Sequence, residues 1–175
     1  MKIVRIILLV IGALIAIVLI APLFVKNEYS IKRDIVINKP KQEVFSYVKL
    51  LRNQDHYSKW LLLDPGMQKD FRGEDGTVGF VYAWESEEAG KGEQEIKGIT
   101  EGERLDLEIR FVKPFESIAK TPMITEGVSE NQTKVTWGME GESPYPFNLM
   151  NLFMEGMLGK DLETSLATLK ENLER

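Results

Sequence analysis

Few side chains in this sequence have the types and spacing that acid–base chemistry requires. His56 is the sole histidine, and histidine is the usual general base of enzymes. No neighbouring residues supply a nucleophile and an orienting group, so we expect His56 to lie at the surface beside Asp55. No catalytic residue is therefore predicted. If a reaction does occur, Arg33, Tyr82 and Glu95 are the candidate acid–base groups.

Metal and phosphate chemistry have little support in the sequence. The chain has no cysteine, and its acidic clusters, Glu87-Glu88 and Glu93/Glu95, lack the spacing of a calcium loop or a histidine pair. The glycine-rich segment 73–79 lacks the Lys-Ser/Thr ending and the following helix of a phosphate-binding loop. We expect a turn between strands there, and we predict no metal and no cofactor.

Arg33 has two possible roles. It follows the alternation of Ile31, Ile35 and Ile37, so it shares their apolar face. A guanidinium on that face could hold a ligand carboxylate or phosphate through bidentate hydrogen bonds. The more ordinary alternative is a side chain that reaches the surface and pairs with a carboxylate of the sheet.

A second group of candidates is apolar and aromatic. Methionine fills irregular space and adapts to varied ligands, and apolar pockets with few polar groups bind hydrophobic molecules. An ordinary packed core is the alternative for each of these residues. Together with Arg33, the predicted ligand-binding residues are Phe80, Tyr82, Trp84, Trp137, Met150, Phe153, Met154 and Met157.

The N-terminal segment is apolar enough to cross a membrane. Residues 6–25 carry no charge, and 20 helical residues span about 30 Å, the thickness of a hydrocarbon core. We predict a single-pass anchor over residues 1–26. The alternative is an unusual cleaved signal peptide, although the apolar stretch is longer than usual and no good cleavage site ends it. Lys2 and Arg5 directly before the apolar run are typical of a signal anchor with its N-terminus in the cytoplasm. This slightly favours a position of the soluble domain outside the cytoplasm.

Residues 27–175 have the composition of one soluble domain. All 27 acidic residues of the chain lie there, and the whole chain has a net charge of −5, which is a poor match to nucleic acid. The absence of cysteine excludes a disulfide scaffold. A domain of this size can bury a sizeable core without such staples. We expect a monomer.

The elements that must position these residues are one strand, short helices, further strands and a long final helix. Leu105, Leu107, Ile109 and Phe111 alternate with charged residues, as in a half-buried strand. Residues 117–125 form a weaker strand, whose Pro122 indicates an edge or a bulge. Residues 148–175 read as a helix with one inward stripe, which consists of Leu162, Leu166, Leu169 and Leu173. These elements predict an α+β fold with a curved antiparallel sheet of about seven strands and a long C-terminal helix.

Several segments of the domain follow the pattern of a known family. They are residues 35–40 leading into Val44-Phe45, Tyr57-Ser58-Lys59-Trp60, Gly76–Gly79 before Tyr82-Ala83-Trp84, residues 92–96, residues 134–137 and residues 169–174. These segments resemble the START-like, or SRPBCC, superfamily and in particular its bacterial polyketide cyclase/dehydrase-type members. The resemblance implies a helix-grip fold, in which the sheet wraps around the C-terminal helix with an apolar cavity between them. It implies no shared catalytic set, and many members bind lipids or other hydrophobic molecules.

Three functions are therefore carried forward. The first is a membrane-tethered domain that binds a hydrophobic small molecule or lipid, with the membrane contacted through residues 6–25. The second is a cyclase- or dehydrase-like enzyme acting on an apolar substrate in the same cavity. The third is an interaction domain with a filled core. A cavity of several hundred cubic ångströms favours the first two, because ligand pockets have about that size.

Overall fold

The computed structural model describes residues 2–175 as an apolar N-terminal helix followed by an α+β domain. The helices are α1 (Lys2–Ile20), α2 (Lys41–Val48), α3 (Lys59–Leu62) and α4 (Asn151–Glu174). The strands are β1 (Glu28–Ile37), β2 (Gln68–Arg72), β3 (Val81–Ser86), β4 (Gly90–Thr100), β5 (Arg104–Lys113), β6 (Ser117–Lys120), β7 (Met123–Ser129) and β8 (Gln132–Glu142). Short 3-10 turns cover Ala21–Phe24, Leu51–His56 and Phe147–Met150.

The strands form one antiparallel sheet that has one face packed against α4. β1 pairs with β8, and β5, β4, β3 and β2 follow one another toward the other edge. β6 and β7 both lie between β5 and β8, so eight strands occupy seven positions. This is the helix-grip fold that the sequence predicts.

Pro122 separates β6 from β7 in the interior of the sheet, so the predicted edge position is wrong and the predicted irregularity is correct. Proline has no N–H to donate to a ladder. The carbonyl of Pro122 still accepts a hydrogen bond from the Gly138 amide at 2.9 Å, and the amide of Thr121 donates to the carbonyl of Leu107 at 2.8 Å. Neighbouring strands on both sides therefore hold the chain in place across the break.

The core lies between the inner face of the sheet and the helices. The predicted stripe of α4 is confirmed, because Leu162, Leu166, Leu169 and Leu173 are buried against the sheet. On the sheet side, Leu105 and Leu107 of β5 are buried, as their alternation predicts. Burying a leucine side chain contributes about 1.5–3 kcal/mol, so these contacts are a main source of stability.

The short helices that the sequence predicts after the first strand are α2, the 3-10 turn Leu51–His56 and α3. The carboxylate of Asp75 accepts hydrogen bonds from the amides of Leu51 at 2.8 Å and Arg52 at 3.1 Å. These amides begin the 3-10 turn, where backbone donors lack partners within the helix. The glycine-rich segment before β3 is thus a turn between strands, as predicted, and Asp75 within it fastens the layer of short helices to the sheet.

α1 lies outside the core, and none of its residues is buried. It and the following turn form one apolar helical segment, Lys2–Phe24, that is long enough to cross a membrane; a signal sequence meets the same criterion. Beyond it, the side-chain amide of Asn148 donates hydrogen bonds to the carbonyls of Pro22 and Val25, both at 2.8 Å. The end of the apolar segment is therefore fastened to the start of α4.

Candidate ligand-binding site

A cavity of about 310 Å³ lies between the sheet and the layer of helices. Its sheet wall consists of Tyr82, Trp84, Gln94, Ile109, Phe111, Trp137 and Met139. Its other wall consists of Gln54, Ser58, Trp60, Leu61 and Leu63 from the short helices and the turn after them, with Leu158 from α4. Residues 88–90 and Pro114 complete the lining at the loop end of the sheet. The lining is mostly apolar, as expected for a site that takes a hydrophobic molecule.

Aromatic rings in edge-to-face contact form the rigid part of the cavity wall. The ring of Trp137 contacts Trp60 at a centroid distance of 6.1 Å and Tyr57 at 5.9 Å. Trp84 contacts Phe111 at 6.2 Å. Edge-to-face pairs of this kind contribute about 0.5–1.5 kcal/mol beyond their buried area. They hold the wall in place without filling the space in front of it.

Two buried hydrogen-bond donors of the lining residues have no partner, one from each wall of the cavity. The side-chain amide nitrogen of Gln54 and the indole nitrogen of Trp137 are buried and make no hydrogen bond to any residue between 2 and 175. Leaving a buried donor unpaired costs about 1–3 kcal/mol. Both residues belong to the mostly apolar cavity lining, and both nitrogens are unpaired.

Tyr82 joins the cavity wall to a small polar network. Its hydroxyl donates a hydrogen bond to the carboxylate of Asp55, which also pairs with the ammonium group of Lys69 at 3.0 Å. Burial raises the pKa of the Tyr82 hydroxyl well above its ordinary value, and the hydrogen bond to Asp55 raises it further. Tyr82 is therefore a protonated donor at neutral pH, and its proton is already engaged by Asp55.

Most of the chain matches one known protein family. The sequence profile of the family described as "Polyketide cyclase / dehydrase and lipid transport" matches residues 28–174. The chain belongs to this family. No curated protein sequence matches the chain significantly.

Several solved structures share the fold of this cyclase/dehydrase family member at low sequence identity. Norcoclaurine synthase from Thalictrum flavum is 9% identical, with a TM-score of 0.63 over 89% of this chain and 92% of that one. Ara h 8.0201 is 13% identical, with a TM-score of 0.58 over 83% and 97%. DynU16, a protein in the dynemicin biosynthetic locus, is 14% identical, with a TM-score of 0.58 over 83% and 47%. The chain thus spans about half the length of DynU16. These TM-scores show a shared fold. Together with the family assignment, they make this a ligand-binding helix-grip domain.

The structure brings only part of the predicted ligand-binding set to the cavity of this family member. Tyr82, Trp84 and Trp137 line it. Phe80 is fully buried in the core and is not part of the cavity lining. Met154 packs partly buried against the same core. Their roles toward a ligand stay predictions.

Met150, Phe153 and Met157 lie outside the cavity, contrary to expectation. Their exposed fractions are 54%, 60% and 60%. Met150 ends the 3-10 turn before α4, and Phe153 and Met157 lie on the outward side of α4. Met154 and Leu158 on the neighbouring side of the helix pack against the core. The first half of α4 is apolar on most sides, so its composition alone could not show which side faces the sheet.

Arg33 lies on the predicted face, but it is not part of the cavity lining. It is paired with Trp137 across β1 and β8, which puts both on the inner face. Its guanidinium reaches α4 and pairs with Glu163 at 2.6 Å and Glu155 at 2.8 Å. Arg33 therefore pairs with carboxylates, as the second of its two predicted roles states, but these carboxylates belong to α4 and not to the sheet.

Glu95 lies on the outer face of the sheet. Its neighbours Gln94 and Ile96 point inward and are buried, whereas Glu95 pairs with Arg110 at 2.7 Å and Lys97 at 3.2 Å. The hydrogen bond from Arg110 lowers the pKa of the Glu95 carboxyl below its ordinary value. Glu95 is thus an ionised surface residue, and of the three acid–base candidates only Tyr82 borders the cavity.

Sequence reasoning missed the polar residues of the cavity. Gln54 lies in a segment without periodicity, and no motif marks it. Ser58 lies in the segment Tyr57-Ser58-Lys59-Trp60, which carries the family resemblance but indicates no role for its hydroxyl. Gln94 could have been found, because it alternates with the outward residues Glu93 and Glu95 of β4. Within residues 2–175 no three His, Cys, Asp or Glu side chains are grouped so as to hold a metal ion.

Proposed function

We propose that this protein binds a hydrophobic small molecule or lipid in the cavity between its sheet and its helices, and that α1 tethers it to a membrane. The observation that carries the proposal is the cavity itself. A volume of about 310 Å³ reaches the range of about 300–1,000 Å³ that is typical of ligand pockets. The alternative of a filled core does not fit such a space.

The two unpaired donors support a finer statement about the ligand. Gln54 and Trp137 are both lining residues whose side-chain N–H groups are buried and unpaired. A pure hydrocarbon would leave both without partners, whereas a carbonyl or ester oxygen would accept a hydrogen bond from at least one. We propose a mostly apolar ligand that carries an acceptor oxygen.

The enzyme alternative depends on Tyr82. Arg33 and Glu95 are engaged in ion pairs away from the cavity, so Tyr82 is the one remaining candidate of the three acid–base residues. The Tyr82 hydroxyl already donates a hydrogen bond to Asp55, so its proton is not free for a substrate. We therefore propose binding and assign no reaction.

Substituting Gln54 tests the ligand chemistry. Residues 27–175 contain every member of the hydrophobic core cluster. This domain is expected to bind a fluorescent naphthyl ketone, with an emission shift on entering the cavity. Gln54→Leu should weaken binding by about fivefold, the equivalent of one hydrogen bond of about 1 kcal/mol.

Gln68→Leu is the matched control, because Gln68 is exposed on β2 and should leave ketone binding unchanged. If the unsubstituted domain does not bind the probe, the proposed function is wrong. Unchanged binding by Gln54→Leu would remove only the proposed hydrogen bond.

The anchor has its own test. The full chain is expected to stay in the membrane pellet after carbonate extraction, because an apolar helical segment of 23 residues is long enough to span the hydrocarbon core. Residues 27–175 alone should be recovered in the supernatant as a folded monomer. A soluble mature protein that begins near residue 22 would instead identify the segment as a signal peptide.

A further inference from the structure

One end of the domain exposes an unusual group of large apolar side chains. They come from three separate segments: the loop after β5, the chain between β8 and α4, and the first two turns of α4. We name this group the apolar end; it consists of Phe115, Tyr145, Phe147, Met150, Phe153 and Met157. Phe115 is 75% exposed and Phe147 is 62% exposed. Single exposed apolar residues are ordinary, but a contiguous group of them marks an interaction surface.

The segments of the apolar end are close to one another in space. The rings of Phe115 and Phe147 lie 6.3 Å apart, which joins the β5–β6 loop to the chain before α4. Met150 ends the 3-10 turn before α4, and Phe153 and Met157 follow it on α4 at helical spacings of three and four residues, so the three form one stripe. The group is therefore one surface and not scattered positions.

The apolar end lies directly beside the end of the apolar N-terminal segment. The hydroxyl of Tyr145 donates a hydrogen bond to the carbonyl of Leu19 at 2.8 Å. The side-chain amide of Asn151 donates to the carbonyls of Lys26 at 3.0 Å and Asn27 at 2.9 Å. With the Asn148 bonds, these contacts hold the apolar end level with the last turns of the segment. If that segment crosses a bilayer, the apolar end lies at the bilayer surface.

The same surface continues toward the cavity. Pro114 and Leu158 line the cavity, and each is the immediate neighbour in sequence of a residue of the apolar end, Phe115 or Met157. Met154, between the stripe and Leu158 on the helix, packs against the core. Apolar side chains thus extend from the exposed surface to the cavity lining.

We propose that the apolar end docks onto the lipid bilayer that holds α1, so that the cavity exchanges its ligand with the bilayer. This proposal rests on the proposed tether and on the proposed ligand binding. Aromatic side chains and a tyrosine hydroxyl suit the boundary between acyl chains and headgroups. Each apolar group transferred from water to that boundary stabilises docking in proportion to its buried area.

Single-cysteine labelling tests the docking directly, because the chain contains no cysteine of its own. The full chain with Phe115→Cys, labelled with the fluorophore NBD, is reconstituted in phosphatidylcholine vesicles. Its emission should shift to shorter wavelength, and doxyl-labelled phosphatidylcholine should quench it. Val128→Cys is the matched control: Val128 is 56% exposed near the turn that starts β8, whereas the other end of β8 pairs with Glu28 near the anchor. Its label should keep the emission of an aqueous fluorophore.

Transfer kinetics test the route of exchange. In the full chain, the double variant Phe115→Ser, Phe153→Ser should slow transfer of the naphthyl ketone from vesicles to the protein by about tenfold. The equilibrium affinity should stay unchanged, because neither residue lines the cavity. Unchanged transfer rates would overturn the exchange route.

The remaining outcomes separate the proposals. A chain that resists carbonate extraction but whose label at residue 115 stays in water would overturn docking and leave the tether intact. A blue shift at residue 115 without lipid quenching would indicate contact with a second copy and would also overturn it. Loss of the chain on carbonate extraction would contradict the tether, and docking would fail with it, whereas ketone binding by residues 27–175 would be unaffected.

Discussion

Trp137→Ala is expected to lower the free energy of unfolding by about 3–5 kcal/mol, the range for deleting a large buried aromatic side chain. Trp137 is 2% exposed and makes edge-to-face contacts with Tyr57 and Trp60. Alanine would remove both contacts and enlarge the cavity next to them. Because one side of the ring already borders that cavity, we expect a value in the lower half of the range. Urea denaturation of residues 27–175, followed by circular dichroism, measures it.

Thr136→Ala is the control for this substitution. Thr136 is the neighbouring residue of β8 and points to the other face of the sheet, where it is only partly buried. Its replacement should cost well under half as much. Equal, small losses for both variants would contradict the assignment of Trp137 to the inner face.

Ile109→Trp is expected to weaken binding of the naphthyl ketone by at least about tenfold while the domain stays folded. Ile109 lines the cavity from β5, so the larger side chain can occupy space that the ligand would otherwise take. A cavity of about 310 Å³ accepts this volume, whereas a filled core would lose about 1–3 kcal/mol through overpacking. Fluorescence titration and thermal unfolding of the same samples separate the two results.

The matched control is Ile118→Trp, the same substitution on the neighbouring strand. Ile118 is 59% exposed on β6, and it should change neither ketone binding nor stability appreciably. If both variants bind the probe as the unsubstituted domain does, the ligand does not bind in this cavity. If Ile109→Trp unfolds the domain, the interior has no room for added volume.

Local patterns in the sequence predicted most of the elements and most of their inner faces. The spacing of Leu162, Leu166, Leu169 and Leu173 predicted the buried stripe of α4, and the alternation of Leu105 and Leu107 predicted the inner face of β5. These predictions succeed because the periods of a helix and a strand depend on backbone geometry, which is local. The same patterns placed Arg33 on the inner face.

The course of the chain through the sheet depended on contacts that local patterns do not contain. Pro122 indicated an irregular strand, but its interior position follows from β5 and β8 on either side of it. The partners of Arg33, Glu155 and Glu163, are more than 120 residues away in sequence. No short-range pattern predicts such pairs, because they depend on where α4 crosses the sheet.

By itself, then, the sequence determined an α+β fold with an antiparallel sheet and a membrane-length apolar segment, since both depend on composition and periodicity. The family resemblance implied the helix-grip arrangement of these elements. Tertiary structure alone decided which apolar residues enclose a cavity and which remain exposed. Met150, Phe153 and Met157 are as apolar as the residues that line the cavity, yet they lie outside it, beside the end of the N-terminal segment. Gln54 became a candidate ligand contact only when folding buried its amide without a partner. The physical reason is that hydrophobicity is a property of a side chain, whereas burial depends on what the rest of the chain places over it.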